Sequence, residues 1–176
     1  MQIRCTQKLL KELGAKNNEP EDFDNPITLL GNWYANIFFL DSKKTIIFMN
    51  EQTRLSFIIY GIRKDNIKNF PIIFLNGVEQ LLVLEGISDS AIDKVLDEYS
   101  QIFVTKTTNK SLLGNMNDLV NLYTHFVLSS GGLKHADLMD IIARINRTPQ
   151  RNIGWSNSAE AVKELLVSRT RNRGTK

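Results

Sequence analysis

Cysteine is almost missing from this chain: Cys5 stands alone in 176 residues. A lone cysteine excludes an internal disulfide and any cysteine-rich zinc centre, and it fits a reducing compartment. Histidine is nearly as scarce. His125 and His135 are ten positions apart, and neither an HExxH nor a CxxC pattern surrounds them. No metal site and no cofactor is expected. Apolar runs stay far short of the ~18 residues of a membrane span. Met1 to Lys8 has no apolar stretch behind its charges, which argues against a secretory leader. The expectation is a cytoplasmic protein with no membrane partner. No GxxxxGK[ST] or GxGxxG phosphate loop occurs, and no serine or cysteine nucleophile sits in a recognisable motif. Repeats and low-complexity segments are missing too. The sequence therefore specifies no reaction.

What remains is an ordinary globular mixture, 42% hydrophobic and 23% charged. The length suits one sizeable core, and a single domain over residues 1–168 is expected. The net charge of +3 is unevenly spread: from Arg144 onward eight basic residues face two acidic ones. Such a bias suits a polyanion partner. Four of the eight fall in residues 169–176, however, which read as a flexible, solvated tail.

Ile3 and Cys5 share one face of a short strand over Met1 to Cys5. Thr6 then caps a two-turn helix from Gln7 to Leu13, and Gly14 closes it in the left-handed conformation. Residues 15–30, with Pro20 and Pro26, read as a surface loop. Trp33 to Leu40, Thr45 to Met49 and Leu55 to Tyr60 are rich in aromatic and β-branched residues. Gaps of four and five residues make them an antiparallel meander, because a parallel crossover needs a dozen or more. Helical spacing follows from Asn69 to Leu84, then from Ser88 through Tyr99. Ile102 to Thr107 reads as a fourth meander-like strand. Asn109 or Lys110 opens a long helix that Gly131 and Gly132 stop, and two further helices carry Leu138 to Ile145 and Val162 to Leu166. The expectation is an α+β fold: an antiparallel sheet of about four or five strands on several helices, with a helical C-terminal half.

Four polar clusters mark element ends: Arg4-Cys5-Thr6, Asn50 to Arg54, Lys106 to Ser111, and Asn146-Arg147-Thr148-Pro149. The third suggests an anion site. A helix start offers unpaired N–H groups and a partial positive charge. Lys106, Thr107, Asn109, Lys110 and Ser111 would surround it, with Arg147 a possible partner. The plainer alternative is a capping residue with solvated lysines. Glu51 and Asp41 are the carboxylates near the meander, and paired carboxylates can run acid–base chemistry, but no second signal supports a dyad. Trp33, Tyr34, Phe38, Phe39, Phe48 and Phe57 read as core or cross-strand pairs, not as a platform for bases.

The same stretches carry a resemblance. Arg4 to Leu10, Gly31 to Asn36 followed by Phe48, Asn50-Glu51 and Thr53, Lys106 to Ser111 with Leu113-Gly114 and Met116-Asn117-Asp118, and Asn146 to Pro149 resemble a family of small, stand-alone, mostly bacterial proteins classed as a domain of unknown function. The resemblance spans about Met1 to Leu166. It implies a full-length domain in a bacterial-type cytoplasm and transfers no mechanism.

Three functions stay open. The first is a binding module for an anionic small molecule, nucleotide or nucleic acid, centred on Lys106 to Ser111. The second is an enzyme on a phosphorylated or nucleic-acid substrate, with Glu51 or Asp118 as its carboxylate. The third is a protein–protein module, such as a homodimer through strand edges or apolar helix faces.

Overall fold

The computed structural model describes residues 1–15 and 28–173. Pro20, Pro26 and most of the expected loop lie outside the described residues. The loop's end does not fit a surface segment: Leu29 and Leu30 are buried.

The strands are β1 (Gln2–Cys5), β2 (Trp33–Leu40), β3 (Lys43–Asn50), β4 (Ser56–Tyr60) and β5 (Phe103–Lys106). The helices are α1 (Gln7–Leu13), α2 (Phe70–Leu84), α3 (Asp89–Glu98), α4 (Lys110–Ser129), α5 (Leu138–Asn146) and α6 (Ser158–Arg173). The class is α+β. Local signals act as expected: the Thr6 hydroxyl accepts from the Leu9 N–H, and Gly14 sits at φ 63°. Asp41 and Ser42 both take positive φ, which makes the β2–β3 connection a tight two-residue hairpin.

The sheet order is β4-β3-β2-β1-β5. β2, β3 and β4 form the antiparallel meander. β1 departs from the antiparallel expectation, running parallel to both β2 and β5. β5 is therefore no fourth meander strand. It returns after α2 and α3 to the far edge, beside β1, a crossover long enough for parallel pairing.

Residues in register share a face. Trp33, Phe48 and Phe57 point to one side, where Phe74 of α2 packs 5.4 Å from Trp33 and 5.3 Å from Phe48, ring centre to ring centre. The Trp33 indole N–H donates to the Tyr99 hydroxyl at 2.8 Å. A Cβ on Gly77 would stand 2.2 Å from the Phe57 ring, so glycine lets α2 approach β4. Ile67 to Leu84 is as long and apolar as a membrane span by composition. Phe70, Phe74, Val78, Leu81 and Leu82 are nevertheless buried in the core.

The other face carries α4 and α5. The Tyr123 hydroxyl of α4 reaches Ser56 of β4. The tail expected from Arg169 is, as far as Arg173, the end of α6. Arg169 is anchored there: Nη1 donates to the Thr28 and Leu29 carbonyls, and Nη2 to Gln52 Oε1 at 3.0 Å. Residues 174–176 lie outside the described residues.

Candidate functional site: a polar half-sheet around Arg4 and Arg54

The face under α4 and α5 is divided. On β3 and β4 it carries Ile47, Met49 and Ile58, all buried. Along β1 and the neighbouring parts of β5 and β2 it is polar, while Phe103, Phe38 and Leu40 lie farther along the same face. Thr105, Arg4 and Tyr34 are neighbours in one row, set by the pairings Arg4 with Thr105 and Arg4 with Tyr34. Thr6 continues β1, and its hydroxyl donates to Asn36 Oδ1 at 2.7 Å. Gln2 begins it, and its N–H donates to Asn32 Oδ1 at 2.9 Å.

Arg4 joins the first cluster to the second. Its Nη1 donates to Glu51 Oε1 at 2.8 Å and to the Tyr34 hydroxyl at 3.2 Å, and its Nε to Gln2 Oε1 at 3.3 Å. The turn after β3 brings Glu51 there. Asn50 organises that turn: Oδ1 accepts from the Gln52 and Thr53 N–H groups, and Nδ2 donates to the Leu30 carbonyl. Arg54, at φ 60°, ends the same turn.

Arg54 shares Glu51 and Tyr34 as electrostatic neighbours. Burial pushes its pKa below the ordinary arginine value, and Glu51 and Tyr34 oppose that shift. Its Nε and Nη1 are buried without a hydrogen-bond partner among the described residues. The Thr105 and Thr107 hydroxyls are likewise buried and unpartnered. Two guanidinium groups thus neighbour one carboxylate, and Thr105 stands beside Arg4 in the row. A buried N–H left unpaired costs about 1–3 kcal/mol, and guanidinium favours carboxylate and phosphate oxygens.

The residues expected at the anion site divide between buried and exposed positions. Thr107 is buried, whereas Lys106, Lys110 and Ser111 are exposed. Lys106 pairs with Cys5, so its side chain leaves from the opposite face to Thr105. Asn109 is the cap: its Oδ1 accepts from the Leu112 N–H at 3.1 Å. Arg147 lies beyond β4, four strand spacings from β5, roughly 19 Å. There its Nη2 meets Glu85 Oε2 at 3.4 Å. Asn146 is structural, bonded to the backbone of Ser56. Sequence reasoning missed Arg54 and Thr105 as site residues. Alternation along β5 placed Thr105 opposite Lys106, but nothing local paired β5 with β1.

The carboxylates also separate. Asp41 and Glu51 flank opposite ends of the eight-residue β3, about 27 Å apart at ~3.4 Å per residue. Asp118 is exposed and lines a cleft of about 510 Å³ with Asn115, Thr148, Gln150, Arg151 and Asn152. Thr148 and Pro149 of the fourth cluster line that cleft, and no residue of Lys106 to Ser111 is among its lining residues. Among the described residues no His, Cys, Asp and Glu group has the makings of a metal site. Burial pushes the Cys5 thiol up, which leaves it a packed core residue and not a nucleophile.

A family model described as Domain of unknown function (DUF6933) matches residues 2–161. No curated protein matches the chain.

Proposed function

The chain belongs to the DUF6933 family, and we propose that it is a binding module for an anionic ligand, held over the polar half-sheet by Arg54 and Arg4. The observation that carries this is Arg54, whose Nε and Nη1 are buried without a partner among the described residues. Desolvating a guanidinium and leaving two of its N–H groups unpaired is costly, and a carboxylate or phosphate oxygen is the acceptor that offsets it. Thr105 and Thr107 add spare hydroxyl donors on strand β5 and just past it. Glu51 is already committed to Arg4 at 2.8 Å, so it balances only part of the positive charge. This moves the anion site from the start of α4 to the sheet.

Thermal shift at low salt tests the proposal, with inorganic phosphate, sulfate, citrate and nucleotides as probes. A binding anion raises stability by RT ln(1 + [L]/Kd), ~2.7 kcal/mol at a hundredfold excess over Kd. Arg54→Gln should abolish the shift, and Lys106→Ala with Lys110→Ala should leave it. If the two lysine variants lose the shift and Arg54→Gln keeps it, the site returns to the helix start. If no anion shifts the wild-type protein, the binding-module reading fails.

A further inference from the structure

The sheet has two edges, and they are unlike each other. β5 is four residues long and carries Lys106, the kind of charge that discourages pairing with another chain. β4 carries no charge in Ser-Phe-Ile-Ile-Tyr. Its outward backbone groups follow from register. Asn50 N–H donates to the Leu55 carbonyl at 2.8 Å, so the pairs 50–55, 48–57 and 46–59 are the hydrogen-bonded ones. The N–H and C=O of residues 56, 58 and 60 therefore face away from β3. Ser56 is satisfied: Asn146 Oδ1 accepts from its N–H at 2.9 Å, and Asn146 Nδ2 donates to its carbonyl at 2.8 Å. That amide does what one residue of an adjoining strand would do. The ladder positions beyond it, Ile58 and Tyr60, have no such partner among the described residues.

Beside those open positions runs a groove of about 410 Å³, with β4 on its floor, α2 on one wall and α5 on the other. No charged residue lines it; Asn76, Gln80 and Tyr60 carry its polar side-chain groups. The apolar surface continues onto the rim, where Tyr60, Ile72, Val83 and Met139 are 45–58% exposed. A strand laid along β4 at the ~4.8 Å of a strand pair would run between the α2 and α5 residues that line the groove.

We propose that the β4 edge is a docking site for an extended, uncharged, β-branched or apolar segment of a partner protein, added as a sixth strand next to Asn146. Ile58 and Tyr60 would supply the backbone hydrogen bonds. The groove between α2 and α5 would take alternate side chains of the segment, the usual division between affinity and specificity in strand addition.

The test uses the full chain and the blocked hexapeptide acetyl-Thr-Val-Thr-Val-Thr-Val-amide. Amide NMR should show perturbation, and new exchange protection, at the Ile58 and Tyr60 N–H groups. N-methylating the peptide at the positions that face β4 should weaken binding tenfold or more, because the ladder bonds are lost. Met139→Glu and Gln80→Glu, both at exposed positions, should do the same with circular dichroism unchanged. Equal binding of the N-methylated peptide would overturn strand addition. So would absence of binding, a concentration-dependent dimer in sedimentation that Met139→Glu abolishes, or binding of phosphatidylcholine–phosphatidylglycerol vesicles in place of the peptide.

Discussion

Asn146 and Ser56 exchange two hydrogen bonds across ninety residues of sequence, amide to backbone, at 2.9 and 2.8 Å. Both residues are fully buried. The pair fastens the end of α5 to the first residue of β4, and Tyr123 adds a third bond to the Ser56 carbonyl at 3.0 Å.

Asn146→Ala should therefore destabilise strongly. It leaves the Ser56 N–H buried without an acceptor and opens a small cavity. An orphaned buried group costs about 1–3 kcal/mol, and the lost Nδ2 donor adds to that. Denaturant unfolding should show a lower midpoint at unchanged slope. A change under about 0.5 kcal/mol, the size of a surface substitution, would show that the pair is dispensable.

Glu85 predicts a pH dependence. Its side chain is buried, Oε1 has no partner among the described residues, and burial raises its pKa against the opposing pull of Arg147 and Lys163. A carboxyl whose folded pKa lies above its unfolded value, ~4.3, holds its proton longer when folded. Its stabilising share is present below that value and is lost as pH rises through the folded pKa. Glu85→Gln should be more stable than wild type at pH 8, and the gap should close toward pH 4. Thermal melts across that range check the sign; a gap that widens on acidification refutes it.

Two glycines within helices should respond in opposite directions. At Gly77 an added Cβ meets the Phe57 ring, so Gly77→Ala should cost about 1–3 kcal/mol by overpacking. At Gly114 of α4 none of the described residues lies within 4 Å of the added Cβ, and φ is not positive. Gly114→Ala should gain about 0.5–1 kcal/mol from helix propensity. Equal effects at the two sites would contradict the close approach of α2 to β4.

Arg169 tests the end of the chain. Arg169→Ala, or truncation after Ser168, removes the bonds to Thr28, Leu29 and Gln52. The cost should be about 1 kcal/mol, reduced from the usual value for charged hydrogen bonds because the site is partly exposed. An unchanged melting temperature after truncation would return residues 169–173 to the status of a dispensable tail.

The sequence by itself determined whatever depends on neighbours a few residues away. Thr6 and Gly14 bound α1, Asn109 caps α4, and the short gaps after Leu40 and Met49 force an antiparallel meander; each rests on a local hydrogen bond or a loop too short for any other path. Tertiary structure decided the rest. β1 sits between β2 and β5, and its partner on β5 is about a hundred residues away, chosen because Ile3 and Cys5 need a buried sheet face on both sides. That insertion aligns Thr105, Arg4 and Tyr34 in one row and turns Lys106 away from them. The same long-range packing spends Asn146 on the β4 backbone and Arg147 on Glu85. It also leaves the Arg54 guanidinium short of acceptors. A polar cluster in a sequence does not disclose which members the fold will consume in its own hydrogen bonds, because buried donors take whatever acceptors packing brings to them.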